Sequence, residues 1–101
     1  PLFNLSIIQM KLVSITKATD GKHKYTAVFA DPKKTTHFGA LGYDDFTKTK
    51  DIYRREAYLA RHKTAENWDN PTSAGALSRW ILWNEPTLSA SIKDFKRRFK
   101  L

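Results

Sequence analysis

The pair Asp20-Gly21 stands between two stretches patterned as strands, and this arrangement limits the N-terminal part of the chain to a meander. An Asp-Gly pair accepts the positive φ that tight hairpin turns require, and alternation on either side gives each strand one face to bury. Leu5 and Ile7 alternate with polar neighbours, and Leu12, Val13 and Ile15 continue a β-branched run towards the turn. Beyond it, Tyr25, Ala27 and Phe29 alternate with Thr26, Val28 and Ala30. Residues 31–34, DPKK, form a second turn signal, with Pro32 at its first central position. The run TTHF at 35–38 then completes a three-stranded antiparallel sheet over about residues 10–39.

The period changes after that point. Residues 37–46, HFGALGYDDF, read as a loop in which Gly39 and Gly42 can take positive φ. A helix is predicted over about residues 51–63. A second is predicted over 71–84, with Asn70 as its cap, Pro71 at its first position and Pro86 preventing continuation. A third covers 87–99, where Leu88, Ile92, Phe95 and Phe99 recur on one face. The fold class is α+β, a small three-stranded antiparallel sheet followed by three helices in a single domain. With 101 residues, 41% of them hydrophobic, the chain can fill one core but not two. Residues 1–9 read as an N-terminal extension, either upstream of Met10 or the start left after removal of a Met.

Three stretches, HFGALGYDDFTKTKD, YRREAYLARHKTAENW and AGALSRWILWNEPTLSASIKDFKRRF, follow in order over residues 37–99. In this order they resemble a small uncharacterised family, a domain of unknown function, of large DNA viruses of algae and protists and of some phages. The resemblance implies a viral protein, placed in the virion or in the cytoplasm or nucleus of the infected cell. It implies no catalytic residue, and the stretch PLFNLSIIQM lies outside its pattern.

Charge narrows the partners. Eighteen Lys and Arg against ten Asp and Glu give a formal net charge of +8, which attracts nucleic acid, an anionic membrane or an acidic protein surface. There is no cysteine, so neither disulfides nor thiolate metal sites are available. No apolar run reaches the roughly 18 residues of a transmembrane helix, and the N-terminus lacks the pattern of a signal peptide. The sequence carries no cofactor motif and no metal-ligand spacing.

Two basic surfaces are candidates. On the helix DIYRREAYLARHK, Arg54, Tyr58 and Arg61 share one side, with Arg55 and His62 beside them and Ile52, Tyr53, Leu59 and Ala60 largely opposite. Such a face can clamp phosphates while the ring stacks on a base or sugar. The plainer alternative is ion pairing with Asp44, Asp45, Glu56 or Glu66. The C-terminal run KDFKRRFKL sets Lys93, Lys96, Arg97, Arg98 and Lys100 around an apolar stripe, suited to DNA or RNA, an acidic protein groove or an anionic bilayer. Lys22, Lys24, Lys33 and Lys34 add charge at the sheet ends.

Other residues fit structural roles more readily. His37 is expected at the sheet edge, bonded to the loop that follows it. The amides of NPTSAG at 70–75 can hold one phosphate, although self-capping is simpler. On a helical wheel Ala74, Ala76, Leu77, Trp80, Ile81 and Trp83 cover about half the circumference, which puts Trp80 in the core and leaves Trp83 at the margin, open to a partner. His37, Asp44, Asp45, Asp51, Glu56, His62 and Glu66 include the acids and imidazoles a metal-dependent nuclease would need, without a motif that joins them.

The resulting expectation is a non-catalytic basic structural or interaction protein, a small component of a large DNA virus particle docked between larger proteins. Residues 3–9, through Phe3, Leu5 and Ile7, would add a strand to a neighbouring sheet edge, and Trp83 would meet the same partner. The alternative is a nucleic-acid-binding protein that neutralises or organises viral DNA or RNA. A nuclease is a remote third.

Overall fold

The computed structural model describes residues 9–101. Three antiparallel strands, β1 (Lys11–Lys17), β2 (His23–Ala30) and β3 (Lys34–Ala40), pair in the order β1-β2-β3. Leu12 sits opposite Phe29 and Ile15 opposite Ala27, with a bulge between Leu12 and Ser14 that turns Val13 outward. On the other side of β2, Tyr25 faces Phe38. The alternation thus buries Ala27, Phe29 and Phe38. The β1–β2 connection is longer than a two-residue hairpin. Asp20 organises it by accepting from the backbone N–H groups of Lys22 and His23, both at 2.9 Å, while Gly21 takes φ +74°. The second turn contains a cis Asp31–Pro32 peptide.

Four helical elements follow: α1 (Phe46–Thr49), α2 (Ile52–His62), α3 (Ala74–Leu77) and α4 (Leu88–Phe99). α3 runs directly into a wide π-type turn, Ser78–Leu82, whose last bond joins the Trp83 N–H to the Ser78 carbonyl at 3.1 Å. The expected α+β order is therefore present, with two differences. β3 runs to Ala40, close to the expected sheet end near residue 39, and the rest of the stretch expected as a loop closes into α1, capped by Asp45. The helix expected over 71–84 starts later. The Asn70 carboxamide accepts from the Thr72 N–H and hydroxyl in a local turn, and Ser73 becomes the cap through a 3.1 Å bond from the Ala76 N–H.

The core lies between the sheet and the 74–82 segment. Phe29 and Phe38 from the sheet meet Leu77, Ile81 and Leu82 from that segment, Trp83 just after it, Phe46 from α1 and Phe95 from α4. Gly39 allows the closest approach: a Cβ there would stand 2.8 Å from Leu82 Cδ1, and its φ is +79°. At the start of the central strand β2 a buried ion pair links the sheet to the cap of α1. Lys24 of β2 donates to Asp45 at 2.5 Å, with side chains only 12% and 3% exposed.

Candidate polyanion-binding surfaces

α4 is built so that its apolar stripe is consumed by the core and its charge is left outside. Thr87 caps it by accepting from the Ala90 N–H, and Lys100 ends it in the left-handed conformation. Phe95 is fully buried, stacked at a tilt on Phe99, which in turn meets the edge of Trp80. Ser91 is buried as well, its hydroxyl accepting from the Glu85 N–H at 2.9 Å. The one carboxylate of the helix, Asp94, points inward. It accepts from Asn84 at 2.7 Å, Arg97 at 2.5 Å and Arg98 at 3.3 Å. Burial by itself would raise the Asp94 pKa, but these donors and the Arg98 charge outweigh it and hold the carboxyl below its usual range.

The expected cations of α4 thus fall into two groups. Arg97 and Arg98 are tied to Asp94, and Arg98 also lies 3.8 Å above the Trp80 ring. Lys93 and Lys96, together with Lys100, are exposed and have no carboxylate within 4.0 Å among the described residues. Between residues 88 and 101 five cations stand against one carboxylate, a local charge of +4, which is half of the chain's +8. Cations in the last turn also complement the helix dipole, but Lys93 lies too far from the C-terminus to serve that purpose.

A second basic surface contains no residue of α4. There a cleft of about 650 Å³ opens between the end of the β2–β3 ribbon and α2. Asp51 sets the start of α2 by accepting from the Tyr53 and Arg54 N–H groups. The helix then brings Arg54, Tyr58, Arg61 and His62 together on one wall, opposite Lys22, His23 and Lys24. Tyr58, however, is half-buried and stacked on Trp83, with centroids 4.3 Å apart and planes 6° apart, and His62 stacks on it at 4.1 Å. Its phenol is pushed up to about 12, by burial first and the Glu66 charge second. Tyr58 is part of the cleft's packing rather than a free ring.

The carboxylates of the cleft are already engaged. Asp44 meets Arg54 at 3.4 Å and Lys48 at 3.8 Å, Asp45 holds Lys24, and Glu66 accepts from Trp68 and meets His62. Ion pairing thus accounts for Arg54 but not for Arg61. Arg61 and Lys22 have no carboxylate within 4.0 Å among the described residues.

Several expectations change. Trp83 is 9% exposed and buried beneath Tyr58, so it is not available at the margin of the stripe to meet a partner. Trp80 is only partly buried, its indole N–H donating to the Trp68 carbonyl at 2.9 Å. The π-type turn causes this exchange, because it rotates less per residue than the 100° wheel assumes. On α2, Ile52 and Tyr53, opposite the arginine face, are 57% and 88% exposed. His37 bonds across the ladder to Thr26 at 2.8 Å, and not to its following loop. Phe3, Leu5 and Ile7 lie outside the described residues.

An arginine group that sequence spacing does not disclose surrounds the turn after the π segment. Arg79 donates to the Trp83 carbonyl at 3.0 Å and lies 4.0 Å from the Trp80 ring, while Arg55 donates to the next carbonyl, Asn84, at 3.1 Å. Burial, then the charges of Arg98 and Arg55, lower the Arg79 pKa. These guanidinium groups satisfy carbonyls at the end of a helical segment, a structural role. Among the described residues no group of three or more His, Asp or Glu side chains is placed to hold a metal ion, and no helix is long and apolar enough to cross a membrane.

These features define a small basic α+β domain with two cationic surfaces. Residues 13–62 match the model of a family of unknown function, DUF5754. This span takes in nearly all of the sheet, α1 and α2, and hence both walls of the cleft, and it ends before α3 and α4. It overlaps the region of resemblance noted above over residues 37–62. No curated protein and no solved structure matches the chain.

Proposed function

We propose that this protein is a non-catalytic basic interaction module that docks onto a polyanionic partner through the outer face of α4. The observation that carries this reading is the separation of charge on that helix. Its single carboxylate is turned inward and occupied, while Lys93, Lys96 and Lys100 face outward without carboxylate partners. A rigid, well-capped helix that presents cations at fixed spacing suits an acidic protein surface or a nucleic-acid backbone, and it associates quickly by electrostatic steering. The resemblance to proteins of large DNA viruses supports a place in the virion or the infected cell, as a small component between larger proteins.

The test is retention on immobilised heparin, a polyanion without bases. Lys93→Glu combined with Lys96→Glu should elute at clearly lower salt than the unchanged protein, with an unaltered melting temperature because both side chains are exposed. Elution at the same salt would count against α4 as the docking face.

A further inference from the structure

We infer that the cleft between the β2–β3 ribbon and α2 is a second binding site, separate from the α4 face, whose ligand is single-stranded nucleic acid. Three observations lead there. The volume, about 650 Å³, is within the range of sites that enclose a small ligand, roughly 300–1,000 Å³, and has room for a nucleotide or two rather than a duplex. The cations are of two kinds: Lys24 and Arg54 are matched by Asp45 and Asp44, whereas Lys22 and Arg61, on facing walls, have no carboxylate in reach among the described residues. An anion entering the cleft therefore meets two uncommitted cations, Lys22 and Arg61, against one carboxylate, Glu66, whose partners are His62 and Trp68 rather than a Lys or Arg.

The third observation is Tyr43. It lines the cleft, yet it is 72% exposed, and no aromatic ring stacks on it among the described residues. A large exposed ring beside unpaired cations is the arrangement that single strands use, with bases stacked on the ring and phosphates on the cations. An acidic peptide would use Lys22 and Arg61 but would gain little from the ring. Tyr58 cannot serve instead, since both Trp83 and His62 stack on it. Its part is to fix the wall from which Arg61 projects.

Fluorescence anisotropy with a labelled oligothymidylate of about 12 nucleotides tests the inference, this length being within the usual footprint of about 4–16. Tyr43→Ala should weaken binding about tenfold or more, the usual effect of losing one stacked base. Tyr43→Phe should retain it, and Lys22→Ala with Arg61→Ala should weaken it and flatten its salt dependence. All of these side chains are exposed, so melting temperatures should not change. Binding within twofold of the unchanged protein in both Tyr43→Ala and the Lys22/Arg61 double variant overturns the inference. So does equal competition by polyglutamate of matched charge. Because Lys93→Glu/Lys96→Glu acts on the other surface, early elution of that variant from heparin beside intact oligonucleotide binding in the cleft variants would reject the cleft and leave the α4 reading standing.

Discussion

Removing Lys24 should destabilise the fold far more than removing any other lysine. Its ammonium is 2.5 Å from Asp45, and the two side chains are 12% and 3% exposed. Lys24→Met preserves the stem and deletes the charge, which leaves a carboxylate buried without its cation. Breaking a buried pair from one side costs about 3–5 kcal/mol. Asp45 keeps two other donors, the Thr47 N–H at 2.9 Å and the Thr47 hydroxyl at 2.5 Å, so the lower end, about 3 kcal/mol, is expected. Against a total stability of about 5–15 kcal/mol this is a large share. At about 4–8 °C per kcal/mol it lowers the melting temperature by roughly 12–24 °C. Urea unfolding measures it directly. In the Lys24→Met background Asp45→Asn should cost little, since the cap survives and the unpaired charge is gone, giving a coupling of about 2 kcal/mol or more. A cost below about 1 kcal/mol for Lys24→Met would refute the reasoning, because Thr47 alone would then suffice for the carboxylate.

Other consequences follow from single contacts. Gly39→Ala places a Cβ 2.8 Å from Leu82 at φ +79°, and denaturant unfolding should show a loss of about 2–4 kcal/mol from strain and overpacking together. Gly42→Ala, at φ +90° with nothing within 4 Å, should lose only the strain, about 1–2 kcal/mol. Asp94 has a lowered folded pKa, so its contribution is complete above the unfolded value of about 4 and is lost as pH falls through the folded one. Asp94→Asn should therefore be less stable at neutral pH and lose less stability on acidification below about pH 4, as seen in denaturant midpoints across that range. Asp20, also lowered through its bonds to Lys22 and His23, should leave part of the acid slope in place. Ultraviolet titration should find one tyrosine that ionises only near pH 12, absent in Tyr58→Phe; its contribution to stability is present below about pH 10 and fades as pH rises through 12.

How much of this was legible depended on whether local chemistry decided the outcome. The strands were, because Tyr25, Ala27 and Phe29 alternate and Asp20-Gly21 marks the turn. α2 and α4 were, because Asp51 and Thr87 cap periodic segments. α1 was not: four residues carry no period, and its cap Asp45 gains its meaning from Lys24, twenty-one positions earlier. Asn70-Pro71 has the pattern of a helix start, but the Asn70 side chain closes a turn on Thr72 and yields the cap to Ser73. Trp80 and Trp83 exchanged places because a π-type turn is set by packing, which a wheel does not contain. Of the candidate site residues, Arg54, Tyr58, Arg61 and His62 line the cleft from α2. What spacing on α2 could not reveal was the opposite wall, Lys22 and Tyr43, because only the tertiary fold brings the sheet end across from the helix.

The salt dependence of polyanion binding tests the central claim most directly. Binding to a short DNA duplex, followed over a range of salt, should give a straight line of log affinity against log salt whose slope reports the phosphates neutralised, about 0.9 for each. For Lys93→Ala with Lys96→Ala the slope should fall by roughly 1.5–2 with the fold unchanged. An unaltered slope would contradict the account and move the docking surface away from α4.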